Sequence, residues 1–290
     1  MFRVAVLVVT YNRCSLLRET LKALKGQTYL PEEILVVDNF SKDGSREWLR
    51  RNAGPLGLKT LFLPENTGGA GGFFHGLKWL SSNWHGDFIW LLDDDACPEA
   101  EALEKLLRAV QKNPQAIGFF PGVYTRQGKV EKYSWPKKRF RPGDLPPYPG
   151  YSPAEIQKEL LGPVAAGTFV GLLLRPSALK KVGFPRADFF ICFDDLEYTW
   201  RLSRREKLYF VPSAKIYHHF SRPTLKAPKT YYFFRNWTYL AVHLGHRTPA
   251  RAFIFYGLYL LRQKTLSAKE WKLGLKGIRD GLLGRLGRHL

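Results

Sequence analysis

The sequence predicts an α/β protein: a mostly parallel sheet with helices on both faces, continued by a basic helical tail. Two observations carry that reading. Short apolar runs alternate with segments of helical period through residues 1–125, the pattern of strands joined by crossover helices. Four of the apolar runs end in polar or glycine-rich groups: TYNR (10–13), DNFSKDG (38–44), ENTGGAGG (65–72) and DDDA (93–96). Ligands of such sheets bind at the carboxyl ends of the strands, so these groups are expected to converge on one face.

Taken in order, residues 4–9 form a continuous apolar run that starts almost at Met1 and enters Thr-Tyr-Asn without a small-residue cleavage site. It reads as a first strand, not a signal peptide. SLLRETLKALKG (15–26) has helical spacing, EILVVDN (33–39) is a second strand, GSREWLRRN (44–52) a helix and KTLFLPEN (59–66) a third strand. After the glycine-rich turn come the helical GGFFHGLKWLSS (71–82), the strand before the aspartates, the helical PEAEALEKLLRAVQKN (98–113) and the strand AIGFFPGVY (116–124). From 125 to 163 the pattern breaks into a Pro-, Lys- and Arg-rich segment read as a long loop or flap. Order is expected again over VAAGTFVGLLLRP (164–176), FFICFDDLEYTWRLSRR (189–205) and LYFVPSAKIYHHFSRP (208–223). No repeat is seen, and a basic, aromatic tail runs from about 224 to the end.

The composition, 45% hydrophobic over 290 residues, suits a globular core and excludes a disordered chain. The formal charge of +20 is uneven: residues 1–100 carry 11 basic and 12 acidic side chains, residues 201–290 carry 19 and 3. Such a bias points to polyanions, whether nucleic acid, an anionic membrane surface or phosphorylated substrates. Cys14, Cys97 and Cys192 lie far apart, which suggests neither a zinc site nor a disulfide framework and fits a reducing cytosol. The apolar run FIFYGLYLL (253–261) falls short of the ~20 residues that cross a bilayer, so no membrane span is expected.

Three consecutive carboxylates, Asp93, Asp94 and Asp95, follow the apolar strand. Like charges at the edge of a core repel and raise one another's pKa unless a cation is near. Oxygen ligands in this pattern suit Mg²⁺ or Mn²⁺; the alternative is an acidic turn on the helix that begins near Pro98. NTGGAGGFF, after a strand and before a helix, is either an anion-binding loop or a plain tight turn, and it fits neither GxxxxGK[ST] nor GxGxxG. Asp38 either accepts a hydrogen bond from a base or ribose or makes an Asx-turn.

In combination, VAVLVVTYNR, EILVVDNFSKDGS, LPENTGGAGGFFHGL, WLLDDDA, GTFVG, FICFDDLEYTWR and IYHHFS resemble a family 2 glycosyltransferase of the GT-A fold over residues 4–236. NTGGAGGF and DDDA are most similar to the bacterial galactofuranosyltransferases and rhamnosyltransferases of cell-surface glycan assembly. The resemblance implies a GT-A domain over 1–236, with a nucleotide-binding half (1–124), the flap (125–163) and an acceptor-side half (164–236). Residues 237–290 then form basic amphipathic helices.

It also implies roles. Thr10, Tyr11, Asn12 and Arg13 line the nucleotide, Asp38 with Asn39 reads the pyrimidine, and Asn66, Gly68 and Gly69 lie near ribose and sugar. The donor is therefore UDP- or dTDP-linked. Asp93 and Asp95 hold the metal, Mn²⁺ or Mg²⁺, with His218 completing its shell, and Asp94 reaches sugar or ribose hydroxyls. Within FDDLE, Asp195, or its neighbour Asp194, is the general base toward the acceptor hydroxyl. Trp200, Arg201 and Arg235 are candidates for phosphate or acceptor contacts. From the residues alone, the alternative for FDDLE is Asp194 capping a helix with Asp195 and Glu197 on its solvated first turn, the motif's downstream position favouring the base, and His218 is otherwise a structural strand-end side chain.

The expected activity is metal-dependent, inverting sugar transfer to a lipid-linked or polysaccharide acceptor. The alternatives are a sugar-phosphate nucleotidyltransferase, whose glycine-rich turn stands nearer the chain start, and a basic nucleic-acid-binding protein, which leaves both acidic motifs unexplained; no nucleic-acid partner is expected. The tail, with RAFIFYGLYLLR, WKLGLKGI and LLGRLGRHL, suits either an interfacial helix at the inner face of the cell membrane or an ordinary packed helix pair.

Overall fold

β1 (Val4–Thr10) is buried along its whole length, as an unbroken apolar sequence requires of a strand covered on both faces. It pairs in parallel with β2 (Glu33–Asp38) on one side and β4 (Phe88–Asp93) on the other, and β2 pairs in parallel with β3 (Lys59–Phe62). The computed structural model describes residues 1–144, 148, 150–219, 225–263 and 266–289. Among them, β5 (Ala96–Pro98), β6 (Gly118–Thr125), β7 (Leu173–Leu174) and β8 (Leu208–His218) complete one sheet in the order β3-β2-β1-β4-β7-β6-β8-β5. The sheet is mostly parallel, as expected, and two short strands are the exceptions. β7 inserts antiparallel between β4 and β6, and β5 runs antiparallel to β8.

The crossover helices follow the predicted order. In α1 (Cys14–Lys25), Leu17, Thr20, Leu21 and Leu24 are buried, the i, i+3, i+4, i+7 stripe of a helix on a sheet. α2 (Ser45–Asn52) and α3 (Gly68–Asn83) follow. α3 lies unusually close to the sheet, because a Cβ at Gly72 or Gly76 would come within 2.4 Å of Val9 or Leu7. α4 spans Ala102–Lys112. The helix expected from near Pro98 thus starts later, since residues 96–98 are taken by the pairing with β8. Among its described residues the segment 125–163 carries one short helix, α5 (Pro153–Ile156), and α6 (Ser177–Val182) and α7 (Asp194–Ser203) cover the second half.

The tail is built on this body. α8 (Lys229–Tyr239), α9 (Pro249–Leu261) and α10 (Ala268–Leu282) share a second core of Phe234, Trp237, Ala252, Tyr256, Leu260 and Ile278. α10 touches α8 backbone to backbone: a Cβ at Gly277 or Gly281 would lie 2.4 Å from the carbonyl oxygen of Tyr231 or Arg235. The boundary drawn at 236 therefore falls inside α8. Among the described residues no helix is long and apolar enough to cross a membrane.

Candidate active site

β1 and β4 end side by side, and their carboxyl ends open into a cavity of about 600 Å³. Thr10 Oγ1 donates to Asp94 Oδ2 at 2.7 Å, and the Tyr11 N–H to the same oxygen at 3.3 Å. Arg13 Nη1 reaches Asp94 Oδ1 at 3.2 Å and Asp95 Oδ2 at 2.7 Å. The short β5 now matters: its pairing sets Ala96 opposite His218, and the His219 N–H donates to the Asp95 carbonyl at 3.0 Å. This register brings His218 Nε2 to 3.0 Å from Asp95 Oδ1.

Asp93, Asp95 and His218 each offer a ligand atom within 4.8 Å of the others. Two carboxylates and an imidazole are a fitting donor set for Mn²⁺ or Mg²⁺. Their electrostatics agree. Burial, then the neighbouring Asp95, pushes Asp93 up to about 7, and burial raises Asp94 to about 6 despite Arg13 and Thr10. Burial also opposes the charge on Asp95, but the hydrogen bond and charge of His218, with Arg13, outweigh it and hold Asp95 below the usual carboxylate range. Burial disfavours imidazolium at His218, yet Asp95 and Glu131 lift it to about 10. In the protein alone, Arg13 and His218 supply the positive charge that the aspartates need.

The second acidic motif faces the same cavity from a strained turn. Phe190, Cys192 and Phe193 have φ values of 64°, 73° and 67°, a left-handed conformation that costs about 1–3 kcal/mol for each non-glycine residue. α8 holds that turn in place. Asn236 Nδ2 donates to the carbonyls of Phe189, Ile191 and Cys192 at 2.9, 2.9 and 2.8 Å. Arg235 Nη2 donates to those of Asp188 and Phe189 at 3.0 and 2.8 Å.

The turn delivers Asp194 and Asp195 at the start of α7, where Phe193, not Asp194, is the N-cap. Burial, then the charge of Asp195, drives Asp194 well above the usual carboxylate range. Burial raises Asp195 to about 6, moderated by the Leu196 N–H, which donates to its Oδ1 at 2.7 Å, and by Lys137. Both carboxyls are thus raised above the usual range, and at Asp195 the charge of Lys137 opposes the rise.

The structure gathers most of the predicted site residues. Thr10, Tyr11, Arg13, Asn39, Asn66, Gly68, Gly69, residues 93–95, Asp194, Asp195 and His218 all line the cavity. Asn39 Nδ2 ties Asn66 Oδ1 (3.2 Å) to the Gly68 carbonyl (2.8 Å). Gly68, at φ 71°, admits the Phe190 carbonyl to where a Cβ would stand.

Five residues do not join them. Asp38 is fully buried, accepts from Arg46 Nε at 2.6 Å and from the Ser41 N–H at 3.3 Å, and so makes the turn. Asn12 Oδ1 caps the Lys42 N–H at 2.6 Å. Arg235 is fully buried and donates to the turn's carbonyls, away from the cavity lining. Arg201 pairs with Glu197 at 2.9 Å, and Trp200 packs against Phe140, Ala166 and Leu196. The motif IYHHFS lies partly outside the described residues, at 220 and 221. Sequence reasoning missed Glu131, Phe190 and Asn236; for Asn236 the signal was its place beside Arg235 in YYFFRN.

A family model described as glycosyl transferase family 2 matches residues 5–183. Galactofuranosyltransferase GlfT1 of Mycobacterium tuberculosis is 32% identical over 209 residues, which cover 69% of this chain and 64% of that protein. The chain thus spans a little under two thirds of that curated relative. Among solved structures, GalNAc-T7 with UDP, GalNAc and Mn²⁺ superposes with a TM-score of 0.66 at 14% identity, covering 98% of this chain and 55% of the other. Staphylococcus aureus TarS 1–349 in complex with UDP-GlcNAc gives 0.62 at 17% identity, covering 97% and 81%. These likenesses are ones of fold, and they bear out the GT-A expectation.

Proposed function

The chain belongs to glycosyl transferase family 2, and on that premise we propose that it moves a sugar from a UDP- or dTDP-linked donor to a hydroxyl of a lipid-linked or polysaccharide acceptor, inverting the anomeric carbon. Galactofuranose is the favoured sugar, rhamnose the second. The observation that carries this reading is the meeting, on one cavity, of residues 93–95 with His218 and of Asp194 with Asp195. Asp195 takes the proton of the acceptor hydroxyl as that oxygen attacks the anomeric carbon from the face opposite the leaving group. Arg13 holds Asp94 and Asp95 in place, and Asn39 and Asn66 shape the wall beside the donor. Asp93, Asp95 and His218 would hold a divalent cation, Mn²⁺ or Mg²⁺, whose positive charge would stabilise the departing diphosphate. No covalent sugar–enzyme intermediate is needed.

The test is a screen of UDP- and dTDP-sugars for Mn²⁺-dependent protection against thermal unfolding, followed by transfer from the protecting donor to a lipid-linked acceptor. UDP-galactofuranose is expected to protect. Protection by no nucleotide sugar, with or without Mn²⁺, would refute the proposal.

Location belongs to the same reading. On α9, Phe253, Ile254, Leu258 and Leu261 are 51–61% exposed, with Arg251 and Arg262 exposed beside them. An apolar face edged by cations on the most basic third of the chain suits the anionic inner surface of a cell membrane. Leu258→Glu is expected to lower co-sedimentation with phosphatidylglycerol vesicles. Equal recovery from neutral and anionic vesicles would count against it.

A further inference from the structure

Glu131 stands in the segment 125–163, just after an isolated bridge between Val130 and Tyr124. Its N–H donates to the Val123 carbonyl at 3.0 Å, and its Oε1 accepts from the Tyr133 N–H at 3.1 Å. Its residue exposure is 3%. A carboxylate so buried is costly unless a cationic or hydrogen-bonding partner compensates. Its other oxygen, Oε2, has no hydrogen-bond partner among the described residues and lies 3.7 Å from His218 Nδ1. The opposite nitrogen of that ring is the one that meets Asp95 at 3.0 Å. The imidazole therefore lies between a carboxylate of the candidate cation site and a buried carboxylate outside it.

We propose that Glu131 is the positioning residue of this site: it holds the His218 ring by Nδ1, so that Nε2 is turned toward Asp93 and Asp95 with its lone pair available to a cation. The inference rests on the reading of Asp93, Asp95 and His218 as the cation site. The pairing of β5 with β8 fixes where the His218 backbone sits but does not by itself set the ring about its side-chain bonds. A nitrogen that binds a cation cannot carry a proton, so the ring's remaining proton belongs on Nδ1, and a carboxylate there selects that tautomer and orientation. Glu131 does this without touching donor or acceptor.

The experiment measures Mn²⁺ affinity calorimetrically, in the presence of UDP, for wild type, Glu131→Gln, Glu131→Ala, His218→Ala and the double variant Glu131→Ala/His218→Ala. Removing an outer partner of a ligating histidine typically costs 10- to 100-fold in metal affinity, and Glu131→Ala is expected to lose about that much. Glu131→Gln keeps the shape and an accepting carbonyl, so a smaller loss of roughly tenfold is expected. It also serves if the alanine variant does not fold. Because Glu131 acts through His218, adding Glu131→Ala to His218→Ala is expected to cost nothing further.

Unchanged Mn²⁺ affinity in a folded Glu131 variant overturns the inference and leaves the cation site standing. So does an equal loss with and without His218. A wild-type protein that takes up no Mn²⁺ beside UDP overturns the cation reading, and the role of Glu131 with it.

Discussion

Residues 93–95 and the pair Asp194–Asp195 are two runs of one residue type that face one cavity, yet their neighbours treat them differently. The first run meets fixed cations: Arg13 bridges Asp94 and Asp95, and His218 pairs with Asp95. Among the described residues the second run makes no ion pair: burial raises both acids, the charge of Asp195 raises Asp194 further, and the Leu196 N–H and the more distant charge of Lys137 restrain Asp195. Within the first run burial raises Asp93 and Asp94, and it is Asp95, held ionised by His218 and Arg13, that is suited to exchange one cation for another. A carboxylate poised near neutrality by burial is suited to accept a proton. The contrast teaches that the two motifs cannot be ranked by their aspartates, only by what stands within a few ångströms of them.

The largest expected effect breaks the comparison on the proton side. Asp195→Asn keeps shape but removes basicity, so transfer should fall by about 10²- to 10⁴-fold while UDP and Mn²⁺ titrations stay near wild type. Asp194→Asn should leave the rate in the wild-type order of magnitude. A reversal of the two results would move the base one residue upstream. Next, Asp95→Ala removes a ligand, and its Mn²⁺ affinity should fall by at least the 10- to 100-fold that loss of an outer partner costs. Calorimetry showing no change would falsify the assignment of Asp95.

A smaller effect sharpens the contrast through pH. With Asp195 raised to about 6, the base is ionised above that value and protonated below it. kcat/KM should therefore be flat above pH 7 and about tenfold lower at pH 5; a profile level from pH 5 to 8 would exclude a base of this kind. The smallest effect is on stability. Asp194 has a folded-state pKa above its unfolded value, so the folded state binds the proton more tightly and stability is lost as pH rises from the ordinary carboxylate range toward that raised value. Asp194→Asn escapes this loss. Its melting temperature relative to wild type should rise between pH 4 and pH 8, and a constant difference would contradict the raised pKa.

Much of this was legible in the residues. β1, β2 and β4 are buried on both faces, and such strands announce themselves as continuous apolar runs. The convergence of residues 10–13, 65–72 and 93–96 followed from that alternation. β5 and β7, at three and two residues, were not legible, because periodicity needs more length than they have and their pairing is a property of the folded whole. The same holds for Arg235. Its sequence context, an aromatic stretch with one arginine, fits a solvated cation as well as a buried one, and only the carbonyls at the strained turn decide. Glu131 sits among lysines, prolines and aromatics with no local pattern, and its partner is a histidine far along the chain.

That distance has its own consequence. Asp95 and His218 are 123 positions apart, and the chain between them includes β5 to β8 and the turn before α7. During synthesis the aspartates emerge long before the histidine exists, and their contact closes a very long loop, the kind of closure that is slow and that the chain entropy opposes. A nascent chain therefore carries three aspartates without the imidazole that completes the set. Whatever ion binds all three ligands can bind only after β8 has been made and has found β5, so its affinity stabilises the finished sheet and none of the partial ones.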